Sequence, residues 1–361
     1  MKYIFTLIIT LIIVEQIPAQ QVVGQLSELK SSIQNYVEKH NFNGTIMIQQ
    51  KGKTIYQKSY GLANREFKVP NRIDTKYRIA SITKLFTAVL IYQLVEKQRI
   101  DLDKTIHHYL PNYRGEGAKK VTIHQLLTST SGIADLEKDG DTVYEKRLNS
   151  DQVLQKYASG KLEADPGTKF NYNNADYIIL GKILENIYAQ PFAELLKQRI
   201  LVPLKMSQSG VFNYGVVDNL ATCYWWNEKT KQLERDVPYF VENYQASGAM
   251  YSTANDLLAF ATALYQEKKL IGSKMLKKLL EAKNDVKDKD NYASGLWSYG
   301  YRVNKNLVHH GAARPGNIWG TETMLLRLLE KQTTIVVLSN SMGTSSMWGF
   351  LNKMIPKLYG K

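Results

Sequence analysis

The chain has 361 residues, 44% hydrophobic and 22% charged, with 23 Gly and 9 Pro, proportions that exclude a disordered, collagen-like or low-complexity polymer. Its 47 Lys and Arg against 33 Asp and Glu give a net charge of +14, but no basic run of five or aromatic-basic ribonucleoprotein pattern accompanies it, so solvated lysine is the simpler account and no nucleic acid partner is expected. The single cysteine, Cys223, excludes an intramolecular disulfide, and without H-E-x-x-H among the six histidines neither a metal nor a cofactor is implied.

Residues 1–21 open with Lys2, run apolar from Ile4 to Val14 and end on Ile17, Pro18 and Ala19. This is the charge, apolar run and small-residue exit of a secretory signal peptide. Glu15 stops the run well short of the roughly 20 apolar residues of a membrane span. An exported protein, periplasmic or secreted, with no span after signal removal is expected. The remaining 22–361 exceed the roughly 250 to 300 residues at which one core stops growing, so one domain with two lobes is expected.

Within 23–40, Leu26, Leu29, Ile33 and Val37 recur at helical spacing. Residues 44–50 and 54–60 read as strands flanking the turn Lys51-Gly52-Lys53. A helix over 81–96 follows. Residues 99–244, with helical segments at 122–128 and 177–187 punctuated by Pro111, Pro166 and Pro203, read as a mostly helical lobe inserted into an α/β lobe of about 22–98 and 245–361. In the latter, 281–290 is expected as an exposed loop, 299–303, 307–310, 321–328 and 333–338 as successive antiparallel strands, and 348–359 as a closing helix.

The helix after Ser81 carries Ile82, Leu85, Phe86, Val89, Leu90, Ile91, Leu94 and Val95, apolar on every side, so it belongs inside the protein. Lys84 interrupts it one turn after Ser81, a facing distance on a helix. Burial disfavours the ammonium and offers a neutral amine as base, while the first helical turn favours negative charge on the hydroxyl. That is the wiring of an activated serine nucleophile. A second S-x-x-K, Ser27 to Lys30, lies on an amphipathic helix with polar neighbours, where a solvated surface explains it. Tyr172-Asn173-Asn174 follows the turn Pro166-Gly167-Thr168 and can present a phenol and an amide to one pocket. His309-His310-Gly311-Ala312-Ala313 closes a strand before Arg314-Pro315-Gly316, and only one of two adjacent strand histidines can face a given site.

In this order and spacing the three elements resemble the serine hydrolase family of class C β-lactamases, penicillin-binding proteins and D-alanyl-D-alanine carboxypeptidases, with related esterases. Further segments fall in the same order: Leu126-Leu127-Thr128-Ser129-Thr130-Ser131-Gly132, Ser247-Gly248-Ala249-Met250 and Val336-Val337-Leu338-Ser339-Asn340. The resemblance implies a β-lactamase/transpeptidase-like α/β (α+β) fold, an antiparallel sheet flanked by helices. It also implies acyl transfer to water through a serine ester. Ser81 would be the nucleophile, Lys84 with Tyr172 the proton carriers, and Asn174 a holder of the acyl amide and of Lys84. His310 with Gly311 and Ala312 would face the leaving group, and the backbone N–H groups of Ser81 and Ala313 would form the oxyanion hole.

The family's third motif is Lys or His, any residue, then Gly. Counting back from Pro315-Gly316 places it on His310-Gly311-Ala312, with Ala where Gly is usual; the shifted register His309-His310-Gly311 restores the Gly but breaks the spacing to Pro315. A His there, where β-lactamases carry Lys, offers a substrate carboxylate a weaker fixed charge at neutral pH. Arg314 supplies the missing cation if its side chain turns inward. The expected substrate is a small molecule or peptide with a scissile amide, lactam or ester, cell-wall peptides among them. A D-alanyl carboxypeptidase or related D-peptidase ranks first, followed by a carboxylesterase or a class C-like β-lactamase. The competing reading from another class is a silent penicillin- or cell-wall-binding protein. No Gly-x-Ser-x-Gly elbow occurs, which disfavours a classical α/β-hydrolase.

Overall fold

The computed structural model describes residues 19–134, 145–237, 239–282, 291–304 and 307–359. Most of the expected leader and of the charged segment 281–290 lies outside them. The central element is a six-stranded antiparallel sheet built from both ends of the chain: β1 (Gly44–Gln50), β2 (Lys53–Tyr60), β3 (Trp297–Asn304), β4 (Leu307–Ile318), β5 (Thr321–Leu328) and β6 (Thr333–Ser339), in the order β3-β4-β5-β6-β1-β2. The β1–β2 turn is tight because Lys51 and Gly52 both take positive φ, 48° and 79°, the backbone that joins two strands with matching twist.

Strand alternation sorts the core into two layers. Ile46, Ile48, Met324, Leu326, Ile335 and Val337 face one side, covered by α1 (Ala19–Lys39) and α4 (Met347–Leu358). Met47, Leu325, Val336 and Leu338 face the other, where the helix Ala254–Ala261 packs on β1 and β6 and α2 (Thr83–Glu96) and α3 (Ala175–Tyr188) share the same core. All seven residues of β6 are buried, and covering on both faces is why this strand reads as a continuous apolar run. Residues 99–244 hold α3 and shorter helices, together with the short strand Tyr224–Asn227, which pairs with Ser341–Met342 on one side and Gln232–Arg235 on the other.

Two departures from the sequence reading shape the site. The helix expected from Ser81 begins as a single 3-10 turn, Ala80–Ile82, and becomes α-helical only at Thr83. Ala80 sits at φ 47°, a strained conformation for a residue with a Cβ, held by Thr83 Oγ1 donating to the Ala80 carbonyl at 2.7 Å. The strand expected over 307–310 runs on to Ile318, straight through Pro315. β3 stops pairing at Trp297 opposite Ala313, whereas β5 pairs β4 as far as Ile318. The N–H and C=O of His310 engage Glu330 and Leu329 on the β5 side. By alternation, even-numbered residues of β4 turn their amides to β5 and odd-numbered ones to the opposite edge. Pro315 therefore faces an edge with no partner strand, where its missing N–H costs nothing.

The loop delivering Tyr172 is docked on the 128–132 segment: Asn171 N–H donates to the Ser129 carbonyl at 2.9 Å and Gly167 N–H to the Thr130 carbonyl at 2.7 Å. Gly132 closes that segment at φ 74°, and a Cβ there would lie 2.1 Å from the Ala164 carbonyl oxygen. Gly132→Ala is expected to cost about 3 kcal/mol through strain and clash together. Urea unfolding should show a lower midpoint at unchanged slope, and a loss below about 0.5 kcal/mol would contradict the assigned role.

Candidate active site

Ser81 stands on the 3-10 turn at the head of α2, half-buried, with Lys84 one turn on and fully buried. The Lys84 amine donates to three oxygens: Ser81 Oγ at 3.2 Å, Asn174 Oδ1 at 2.5 Å and the Ser247 carbonyl at 3.0 Å. Asn174 is held by its place at the start of α3. The Tyr172 phenol donates to Ser81 Oγ at 2.8 Å. Two residues singled out in the sequence, Lys84 and Tyr172, thus converge on the Ser81 hydroxyl, and a third, Asn174, holds Lys84.

The third element arrives differently. His310 is exposed, its side chain 62% accessible, and pairs through Nδ1 with Glu330 at 2.7 Å. It lies on the same strand face as the site but at the far end of β4, so the assignment of a leaving-group role to His310 is corrected. His309 points to the opposite face and contacts Tyr359 at 2.7 Å, which excludes the shifted register as well. Gly311 is stacked under Tyr299, and Ala312 is buried in the core beneath the helices. Ala313 is paired with Trp297 and Leu326, its side chain in the other core layer. As an odd-numbered residue its N–H is turned to β3, so it is not free to receive an oxyanion.

Arg314 takes the place expected of His310. It is 1% exposed, donates from Nε to the Ser81 carbonyl at 2.5 Å and from Nη2 to the Tyr172 phenol at 2.5 Å, and stacks on Tyr172 and Trp297 with centroid distances of 5.3 and 5.1 Å. Two residues on, Gly316 touches the nucleophile turn: a Cβ there would lie 2.3 Å from the Ile79 carbonyl oxygen and 3.1 Å from the Ser81 nitrogen. The pattern of cation, any residue, Gly therefore sits on Arg314-Pro315-Gly316. The next odd-numbered residue, Asn317, turns its N–H to the open edge beside Ser81. Sequence reasoning missed this register although the Gly, absent from His310-Gly311-Ala312, was present four residues later. It also missed the Ser247 carbonyl, whose signal was the Ser-Gly-Ala-Met segment.

Electrostatics single out Tyr172. Burial, the largest influence, pushes its phenol up; the Arg314 charge, then the Lys84 charge, and hydrogen bonds from Lys84 and Ser81 outweigh it and bring the pKa down to about 8. Its neighbour Tyr177 shows the opposite outcome, raised well above the usual value chiefly by burial. Tyr172, Tyr292 and Trp297 form an aromatic wall, with centroids 4.9 to 5.9 Å apart, and Phe170 adds to it at 5.3 Å from Tyr292. A phenol in hydrogen-bond reach of a serine, with its ionised form stabilised by buried cations, can act as a general base. Among the described residues no cluster of His, Cys, Asp and Glu is arranged to hold a metal ion, and no helix is long and apolar enough to cross a membrane.

The profile of the Beta-lactamase family matches residues 29–352. Penicillin-binding protein 4* of Bacillus subtilis is 25% identical over 329 residues, 86% of this chain and 71% of that protein. Teichoic acid D-alanine hydrolase of Staphylococcus aureus is 26% identical over 267 residues, 74% of this chain but 65% of that protein, just under two thirds of its length. The crystal structure of a penicillin-binding protein from Bacillus halodurans superposes with a TM-score of 0.75 at 26% identity, covering 90% of this chain and 98% of that one. A match over most of the chain, a mixed fold with an antiparallel sheet between helices, and a serine at the head of a buried helix lead to one conclusion: the chain belongs to the Beta-lactamase family and is a serine hydrolase.

Proposed function

We propose that the protein is an exported D-peptidase or D-aminoacyl hydrolase that works through an ester on Ser81. The observation that carries this reading is the convergence of Lys84, Tyr172 and Arg314 on Ser81. In this reading Tyr172, rather than Lys84, is the base. Oxygens of Ser81, Asn174 and Ser247 around the Lys84 amine favour its ammonium form, and the two cations stabilise the phenolate. The Ser81 proton passes to Tyr172 as Oγ attacks the carbonyl carbon, and then to the leaving group as the scissile bond breaks. Water deacylates the ester by the reverse relay. The N–H groups of Ser81 and Asn317 receive the oxyanion, and Asn174 orients Lys84.

The names of two similar proteins, a penicillin-binding protein and a teichoic acid D-alanine hydrolase, support a D-alanyl acyl group or leaving group from the cell wall. The leader-like residues 1–21 support export to the space where such substrates occur. A β-lactamase reading has one observation in its favour: Arg314 sets a permanent positive charge beside Ser81 and Tyr172, where a His was expected. Comparing kcat/KM for a D-Ala-D-Ala peptide, a D-alanyl ester and a cephalosporin decides the substrate. A cephalosporin rate near the diffusional range of about 10⁷ to 10⁸ M⁻¹s⁻¹ without cleavage of either D-alanyl substrate would make this a β-lactamase.

Ser81→Ala is expected to abolish turnover and covalent labelling by a fluorophosphonate while leaving the circular dichroism spectrum intact, and Ser27→Ala to change neither. Because the base form of Tyr172 is present above its lowered pKa, kcat/KM should climb with pH through an apparent pKa of about 8 and level off above it. Tyr172→Phe should lose about 10²-fold or more in rate together with that limb; an unchanged kcat with a raised KM would make Tyr172 a wall of the pocket. Finally, His310→Ala should leave kcat/KM within about twofold, whereas Arg314→Gln should move the basic limb upward by at least about one pH unit. The reverse ranking would restore the His310 register.

A further inference from the structure

Arg314 carries an unusual combination of burial and incomplete bonding. Its Nε and Nη2 are engaged by the Ser81 carbonyl and the Tyr172 phenol, but Nη1 is buried without a hydrogen-bond partner. Among the described residues no carboxylate forms an ion pair with it. A buried guanidinium, which cannot give up its proton, ordinarily requires a counter-charge. Tyr172 answers this only when ionised, so in the neutral-phenol state the charge stands uncompensated.

Two more buried polar atoms nearby lack partners: the Tyr292 hydroxyl, on a residue 2% exposed, and Ser129 Oγ, on a residue 0% exposed. Tyr292 and Arg314 pack against the same two rings, those of Tyr172 and Trp297. Burial raises the Tyr292 phenol overall, opposed by the Arg314 charge and by the nearby Tyr177 and Ser129 hydroxyls, neither of which closes a hydrogen bond to it. All three atoms can donate, a guanidinium N–H and two O–H groups, in a region already made positive by Arg314 and Lys84. Such a set suits a ligand that only accepts and carries negative charge. We infer that a small monovalent anion of the halide class binds here, behind Tyr172, held by Arg314 Nη1 and by the hydroxyls of Tyr292 and Ser129.

The anion would oppose the cations at Tyr172. The groups facing that phenol are the Arg314 and Lys84 charges, the Ser81 hydroxyl and the Tyr177 and Tyr292 phenols; an added negative charge shifts the balance toward the protonated form. Halide occupancy thus slows the enzyme at neutral pH and releases it as pH rises.

The test is diffraction from crystals of the whole chain soaked in sodium bromide, with kinetics in bromide against gluconate at matched ionic strength. The expected result is an anomalous peak within about 3.5 Å of Arg314 Nη1, weakened by Ser129→Ala. Kinetically, the basic limb should rise by about one pH unit in bromide, about tenfold slower turnover below it. An ordered water with no anomalous signal at that position, or equal rates in bromide and gluconate, overturns the inference. Because the diffraction readout needs no turnover, its failure leaves the acyl-transfer reading untouched.

Discussion

Two cations buried against one phenol constrain this structure more than any other feature. Taking a guanidinium out of water is costly, and Arg314 is as buried as the leucines around it. The surrounding fold can be read as what makes that burial tolerable: a carbonyl of the nucleophile turn for Nε, a phenol for Nη2, and the faces of Trp297 and Tyr172 for the delocalised charge. The same contacts position Ser81. Arg314 holds its carbonyl, Gly316 leaves room for its nitrogen, and Lys84 and Tyr172 bond its hydroxyl. Charge burial and nucleophile placement are therefore one problem with one solution.

The strand carrying Arg314 shows how backbone rules deliver that solution. β3 ends opposite Ala313, which frees one edge of β4 beside Ser81. Pro315 tolerates that edge because it has no N–H to leave unbonded, and Asn317 exploits it because it has one. The strained Ala80 fits the same logic. An outlier backbone held by Thr83 and by the Tyr77–Arg78 pairing with Tyr251 and Ser252 turns the chain sharply into α2, which aims Ser81 at the open edge.

What the sequence made legible follows from which signals are local. Apolar periodicity in α2 marked Lys84 as out of place, and the Tyr-x-Asn turn was visible because turn residues and a helix start flank it. Strands β1, β5 and β6 were legible from their apolar runs. The end of β4 was not: Arg-Pro-Gly looks like a turn, and only tertiary pairing on one side allows a strand to continue through it. That error carried the third motif from Arg314 to His310, and with it the reasoning that a weak cation disfavours β-lactams. The role of the base was equally out of reach. Helix burial pointed to a neutral Lys84, whereas two of the acceptors around its amine, Asn174 Oδ1 and the Ser247 carbonyl, come from far away in the chain.

The account stands on the claim that Arg314 and Lys84 hold the Tyr172 phenol far below the other buried tyrosines. Labelling the 23 tyrosines with ¹³C at the ζ carbon and titrating the substrate-free enzyme by NMR tests it without reference to any substrate. One ζ-carbon resonance should move with a midpoint near pH 8 and disappear in Tyr172→Phe. If no tyrosine ionises below the ordinary value of about 10, the cations do not make Tyr172 a base.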